Sequence, residues 1–558
     1  MKIWRHQARL WVVSSFFVLL LLTLVWRMYD LTIMNRQFLQ GQGHARSIRL
    51  IDIPAYRGMI TDRQGIPLAV STPLKSVWVN PKEFAPSKEQ LNGLSNLLSI
   101  STKQIQKRVK DGQGRGFIYL KRQLTPMLAK KIESLNISGI NFQEEFKRYY
   151  PQADSTAQLV GFTNVDDNGI EGLELAYQHW LMGVVGKKRV VKDRMGRIIE
   201  ELDMVKEPRA GNELRLSIDS RIQYFAYHEL QDTLLKFGAK SGSVVVLDTQ
   251  TGEVLAVANA PSFNPNARKN YTPDFYRNKA ITDVFEPGSV MKPFAIASAL
   301  ESGNFTPETI IDTRPSRMMV HGRVIRDIHN YGVLDVTGVL QRSSNVGVTK
   351  MVLTSPPEQL IGLLMRSGIG QRTESGYPGE SEGTLVRVAD ANPFVLATLG
   401  FGYGMSLSAL QLAKSYLIFA NQGRTMPVTL LHYDRPVDTT QVISVQTANQ
   451  VLKMMEAVLG VGGTGKQAAV PGYRVAGKTG TARIAGKQGY EAHRHIASFV
   501  GIAPVSNPRL IVAVVIHEPT LINYYGGVVA APLFSKVMGT ALRILDIQPD
   551  ESTLSPMG

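Results

Sequence analysis

The 558-residue sequence contains no cysteine. That excludes a disulfide framework, a thiolate zinc or iron–sulfur site, and a cysteine nucleophile. Acids are short as well: 46 Asp and Glu stand against 62 Lys and Arg, a formal net charge of +16. This excess suits an anionic partner such as nucleic acid, a phospholipid surface or an acidic polymer, and charge alone does not choose among them. No internal repeat or low-complexity run is visible. With 44% hydrophobic and 19% charged residues the composition is globular, which excludes a disordered or collagen-like chain. At about 150 residues per domain, the length implies roughly three to four domains.

Long apolar runs are also missing, with one exception. Leu10–Trp26 (LWVVSSFFVLLLLTLVW) is 17 residues without a charge, bounded by Arg9 and Arg27. That is the lower limit for crossing a bilayer. A buried core helix at the extreme N-terminus, charged at both ends, is the weaker alternative. A cleaved signal peptide needs a small-residue site after the run, and RMYDLTIMNRQF offers none. Lys2, Arg5 and Arg9 precede the run with no acid, which keeps the N-terminus cytoplasmic. The expectation is a single-pass anchor with the rest of the chain outside the cytoplasm. There a basic protein meets lipid headgroups and wall polymer, and no nucleic acid.

Residues 28 to about 210 are mixed in pattern, with frequent Gly and Pro breaks. RGMITDRQGIPLA (57–69) reads as strand, turn and strand, and GFTNVDDNGIEGLE (161–174) as a loop leading into a helix over Leu173–Leu181. No chemistry stands out in this half. From Gly211 the pattern tightens. Ser220–Phe237 has helical periodicity, and GSVVVLDTQTGEVLAVAN (242–259) reads as a hairpin. Helical stretches run to about residue 460. RVAGKTGTA, ASFVGIAPV and RLIVAVVIHEP then read as three strands. The order implies one α+β domain whose sheet is completed by its C-terminal end.

The chain has one Ser-x-x-Lys, at Ser289-Val290-Met291-Lys292. On a helix i and i+3 share a face, so Lys292 sits one turn below the Ser289 hydroxyl. Serine needs an adjacent base to act as a nucleophile, and a lysine serves if its surroundings hold it partly neutral. About one such motif is expected by chance, so alone it is weak. Lys478-Thr479-Gly480-Thr481 lies on an apolar strand pattern, where an ammonium and two hydroxyls could bind a carboxylate. Gly480 would let a substrate backbone approach. An ordinary polar strand edge reads the same way. Of four Ser-x-Asn triplets, only Ser343-Ser344-Asn345 falls between the other two elements and far enough from Ser289 to fold back onto it; Ser302-Gly303-Asn304, at the far end of the nucleophile's helix, is read as a helix stop.

The three elements in this order form the signature of the penicillin-recognising serine acyltransferases. The chain resembles the class B penicillin-binding proteins over nearly its whole length. RGMITDRQG, GIEGLE, FEPGSVMKPF, LQRSSNVG, GYGMSLSALQLA, VAGKTGTA and YYGGVVAAPLF follow in family order. Asn345 and Thr479 favour the division-specific, FtsI-like branch over the elongation type. The short stretch after Lys478 leaves no room for C-terminal repeat modules, which points to a Gram-negative envelope.

The resemblance implies a penicillin-binding/serine transpeptidase fold: an antiparallel sheet with helices on both faces, plus an elongated pedestal and a transmembrane helix. The boundaries expected are 1–9 for a cytoplasmic tail, 10–27 for the anchor, 28–210 for the pedestal, 211–545 for the transpeptidase and 546–558 for a tail. The activity implied is D,D-transpeptidation of stem peptides ending in D-Ala-D-Ala, at the septum, with no metal or cofactor and with inhibition by β-lactams. Ser289 would be the nucleophile, Lys292 its base, and Ser343 the group that protonates the leaving amine. Asn345, Lys478, Thr479, Gly480, Thr481 and Tyr525 would bind substrate. Lys478, Thr479 and Thr481 would hold the terminal carboxylate, and the N–H groups of Ser289 and Thr481 the oxyanion. A membrane glycan polymerase of the FtsW type and other division proteins would be partners.

A β-lactamase shares the three motifs, but residues 211–558 lack the Glu-x-x-Leu-Asn of a deacylating loop. A division scaffold without chemistry is the reading from another class, and the intact Ser289, Lys292 and Lys478 set argues against it. GVGGTGKQ (460–467) nearly fits a phosphate-binding loop, but Gln467 replaces the magnesium-holding hydroxyl and a helical run precedes it. His493 and His495 would share a strand face without a third metal ligand.

Overall fold

A computed structural model of the chain describes residues 2–193, 198–268, 271–433, 437–486 and 489–551. Most of the expected C-terminal tail thus lies outside the described residues. The N-terminal helix Lys2–Tyr29 continues through a looser turn, Asp30–Met34, into the helix Arg36–Ser47. Gln7–Met34 is long and apolar enough to cross a membrane, and its apolar stretch is not buried against the rest of the chain.

The chain forms two compact units, which do not divide at a single point near residue 210. One comprises Met1–Tyr56, Pro73–Phe146 and Gly183–Gly211; the other comprises Arg57–Thr72, Lys147–Met182 and Asn212–Gly558. The physical reason is a shared core. Leu68, Leu159 and Leu173 are buried in the same cluster as Leu216 and Val245, so their segments fold with the C-terminal part.

In the first unit, Ile48–Ile53 pairs with Gly186–Lys192, which pairs with Ile198–Lys206, all antiparallel. A separate core buries Leu94, Leu98, Ile105 and Ile132 from three helices against Val77, Val79 and Leu120. Two of these helices open with reciprocal caps, Ser87 with Gln90 and Ser101 with Gln104.

The second unit is built on a five-stranded sheet. Its helix α1 (Ser220–Phe237) and the hairpin of β1 (Ser241–Asp248) and β2 (Val254–Ala260) match the sequence reading. Next come α2 (Lys292–Glu301), α3 (Val336–Arg342), α4 (Asn345–Val352) and α5 (Val445–Ala457). The chain ends with β3 (Ala476–Gly486), β4 (Gly489–Ala503), β5 (Leu510–His517) and α6 (Gly526–Ile544). The strand order is β2-β1-β5-β4-β3, antiparallel throughout. Strand side chains alternate between faces. Val244, Val246, Val512 and Val514 pack in one core with residues of α1 and α6. Val245, Leu247, Ile511 and Ala513 pack in the other with residues of α2 and α5. With both faces covered, β1 is buried at every residue, which explains its unbroken apolar run. β3 is left as a free edge. The helical stretch expected from 260 to 460 is interrupted by three small two-stranded pairings, Ile310–Asp312 with Val333–Asp335, Arg317–Val320 with Arg323–Arg326, and Arg424–Thr425 with Thr440–Gln441.

The pedestal motifs turn out to be structural. Glu174, wholly buried, receives Arg57 Nε and Arg148 Nε, each at 2.6 Å. Arg57 Nη2 also donates to the Glu174 carbonyl at 2.8 Å. That carbonyl would otherwise accept the Gln178 N–H, so the expected helix over Leu173–Leu181 breaks at Tyr177 into Gly172–Ala176 and Gln178–Leu181. Removing one partner of a buried ion pair strands the others. Glu174→Ala should therefore destabilise this unit by about 3–5 kcal/mol, read as a fall in its denaturation midpoint. A change within error would mean that water already solvates the two guanidinium groups.

Candidate active site

Ser289 stands in a single 3-10 turn, Gly288–Met291, that runs directly into α2. Residues i and i+3 eclipse in such a turn, so Ser289 and Lys292 share a face more closely than on the α-helix expected from sequence. Pro293 occupies the first turn of α2, where its missing N–H leaves no partner unmet. The Tyr416 hydroxyl pins the turn by donating to the Val290 carbonyl at 2.6 Å. Ser289 is half-buried and Lys292 fully buried.

Ser343 lies between α3 and α4 in the left-handed region, at φ 59°, which few non-glycine residues adopt. Asp327 holds the neighbouring backbone. Its Oδ2 accepts the Ser344 hydroxyl at 2.6 Å, and its Oδ1 accepts the N–H groups of Asn345 and Val346. The Asn345 side chain donates to the Arg326 carbonyl at 2.9 Å. The Ser343 hydroxyl oxygen then receives two ammonium groups, Lys292 Nζ at 3.1 Å and Lys478 Nζ at 3.0 Å. Lys292 also donates to the Ser343 carbonyl.

Burial pushes the Lys292 ammonium down to about 7, with the Asp327 carboxylate opposing. Lys478 is held well below its ordinary value, by burial first and by Lys292 second. Desolvation is thus what can make a lysine a general base near neutrality. Neutral Lys292 accumulates as pH rises, so acylation by a β-lactam should climb roughly tenfold per pH unit below about 7 and level off above about 8. Acylation rates measured from pH 5.5 to 9 test this. A flat profile would mean that Lys292 does not supply the titrating base.

Ser289, Ser343, Asn345, Thr479, Thr481 and Tyr525 line one cleft of about 650 Å³. Thr479 and Thr481 lie on β3, the edge strand, and Tyr525 directly precedes α6. The Thr481 hydroxyl accepts the Gly526 N–H at 3.0 Å. Two residues are placed differently from the sequence expectation. Lys478 is not on the cleft wall; its ammonium turns inward to Ser343 and to the Thr479 carbonyl at 3.2 Å. A Cβ on Gly480 would meet Ser498 Oγ at 2.2 Å and the Pro287 carbonyl at 3.0 Å. The close approach glycine permits is that of the nucleophile turn, not of a substrate backbone.

Sequence reasoning missed several wall residues. Ile328, His329, Tyr331 and Arg342 contribute from the α3 side, and Tyr403 from GYGMSLSALQLA. Gly462, Thr464, Lys466 and Gln467 also line the cleft; these belong to GVGGTGKQ, set aside above as an imperfect phosphate loop. The one available signal was its position shortly before β3. Thr464 Oγ1 lies 2.8 Å from Thr479 Oγ1. His495 stacks on Tyr524 at 4.1 Å between ring centroids, and no group of three metal-ligating side chains occurs among the described residues.

The sequence matches the penicillin-binding protein transpeptidase domain over residues 242–539 and the penicillin-binding protein dimerisation domain over residues 52–216. It is 40% identical to the probable peptidoglycan D,D-transpeptidase PbpC of Pseudomonas aeruginosa, over 99% of this chain and 98% of that protein. It is 41% identical to the peptidoglycan D,D-transpeptidase FtsI of Escherichia coli K12, over 96% of this chain and 92% of that protein. Among solved structures, penicillin-binding protein 3 of Mycobacterium tuberculosis, complexed with aztreonam, superposes with a TM-score of 0.70 at 27% identity, covering 90% of this chain and 98% of that one. A serine beside a desolvated lysine at a free sheet edge, in a chain alike to these proteins from end to end, belongs to the class B penicillin-binding proteins, the FtsI-like peptidoglycan D,D-transpeptidases.

Proposed function

We propose that the chain cross-links septal peptidoglycan through an acyl-enzyme on Ser289. The observation that carries the reading is the Ser343 hydroxyl, 3.1 Å from Lys292 Nζ and 3.0 Å from Lys478 Nζ, in the cleft that Ser289 lines. Ser289 Oγ attacks the carbonyl between the two terminal D-alanines of a donor stem peptide, and its proton passes to neutral Lys292. The N–H groups of Ser289 and Thr481 stabilise the oxyanion; one such donor is typically worth ~10²–10³ in rate. As the C–N bond breaks, the leaving amine takes a proton through Ser343, which the two lysines recharge. An amine from a neighbouring strand then forms the new amide and releases Ser289. The peptide adds along the free edge of β3, with its carboxylate at Thr479 and Thr481, and Asn345 and Tyr525 flanking it. β-Lactams, mimicking the scissile bond, acylate Ser289; the Mycobacterium relative holding aztreonam supports this.

The Gln7–Met34 helix anchors the chain in the inner membrane, with its N-terminus cytoplasmic and the catalytic unit periplasmic. Lys2, Arg5 and Arg9 support that orientation. The septal role is supported by the FtsI relative, and it brings a glycan polymerase of the FtsW type and other division proteins as partners. Depletion and complementation test it. Depleted cells should filament, with rescue by the wild type and none by Ser289→Ala. Rounded cells instead of filaments would assign the chain to elongation.

A further inference from the structure

With the Lys478 ammonium turned inward, the full charges on the cleft wall come from elsewhere. Among the described residues lining it, Arg342 and Lys466 are the permanent cations and no Asp or Glu is present. Arg342 reaches the cleft from the end of α3, and Lys466 from the loop braced against that helix. Gln341 Nε2 donates to the carbonyls of Ala457 and Val461, each at 3.1 Å. Arg342 Nη1 donates to the Gly462 carbonyl at 2.9 Å. The guanidinium lies so close over Gly462 that a Cβ there would meet its nitrogens at 2.8–2.9 Å. Two residues on, Thr464 touches Thr479, and Lys466 follows in the same turn. The Lys466 ammonium has no partner among the described residues, and Arg342 has no acidic one. Two unneutralised cations in one concave wall attract and orient a carboxylate.

Thr479 marks the end of the cleft where the donor's terminal carboxylate sits in the reading above, on which this inference rests. That is the leaving-group side of the scissile bond. We propose that Arg342 and Lys466 recognise a carboxylate on this side, and so select an acceptor whose attacking amine stands next to a carboxylate. The link between the two substrates is geometric. In the second half-reaction the acceptor nitrogen attacks the ester carbonyl of acyl-Ser289, a C–N bond forms, the C–Oγ bond breaks, and the amine proton returns to Ser289 Oγ through Lys292. The attacking nitrogen therefore occupies the place the leaving nitrogen vacated. A carboxylate beside that nitrogen falls where the carboxylate of the departed D-alanine lay.

The test uses the full-length protein in detergent with an acyl-D-alanyl thioester donor. Product is partitioned between hydrolysis and aminolysis by D-alanine or by D-alaninamide, which lacks the carboxylate, with the two acceptors compared at equal free-amine concentration. The wild type should prefer D-alanine by about tenfold or more, the scale of a charge-assisted hydrogen bond. Lys466→Gln should cut that preference severalfold, Lys466→Arg should retain it, and Arg342→Gln with Lys466→Gln should abolish it. Because the readout is a ratio within each variant, a general loss of acylation does not imitate the effect. Acylation by thioesters with and without a carboxylate on the leaving group reads the donor's share of the same anchor. A wild type without acceptor preference, or variants that slow both acceptors equally, would overturn the inference. A wild type that neither hydrolyses nor transfers the thioester would instead overturn the transpeptidase reading beneath it.

Discussion

Ser289→Ala should abolish covalent labelling by a fluorescent penicillin, a fall on the order of 10⁴–10⁶-fold in acylation, with the protein still folded and anchored. The serine is half-buried at the cleft floor, and the substitution removes one oxygen without leaving a buried group unpaired. Its neighbours Val290 and Met291 keep their places in the core, so the melting temperature should move little. Labelling that persisted on the mutant would place the reactive hydroxyl elsewhere. Ser343 is the alternative within the cleft, 3.1 Å from Lys292 Nζ and 3.0 Å from Lys478 Nζ.

Lys292→Ala should cost nearly as much, because nucleophile and base act as a unit and their deletions are not additive. The side chain is completely buried, and burial is what makes it a usable base. Lys292→Arg should fail as well, since a guanidinium stays protonated and cannot take the Ser289 proton. A thermal melt separates chemistry from folding. If acylation falls less than tenfold in a folded Lys292→Ala protein, Lys292 is not the base and Lys478, on the other side of Ser343, becomes the candidate.

How far the sequence carried depended on the range of the interactions involved. Ser220–Phe237 was legible because helical periodicity is local, and the hairpin from Ser241 to Ala260 because two apolar runs flank a glycine turn. The Ser289, Ser343 and Lys478 motifs were legible from short spacings and their order. What was not legible depended on tertiary burial. Nothing in Val-Ala-Gly-Lys-Thr-Gly shows that the Lys478 ammonium points inward to Ser343. The loop from Gly460 to Gln467 resembled a failed nucleotide motif until Arg342 and Thr479 fastened it to the cleft. Nothing in Gly-Ile-Glu-Gly-Leu-Glu marks Glu174 as a buried acid. Only the fold brings Arg57 and Arg148 to it from 117 and 26 residues away, and Arg57 Nη2 takes up the Glu174 carbonyl where the helix that periodicity implied is broken.

The most direct measurement is peptide mapping by mass spectrometry after brief exposure of the full-length protein to an acyl-D-alanyl thioester, with and without an amine acceptor. Without acceptor, the acyl group should be found as an ester on the peptide carrying Ser289, and on no other. Adding the acceptor should discharge that ester and yield the amide product in matching amount. An acyl group on another residue, or amide product formed with no ester on Ser289 at any time, would contradict the account.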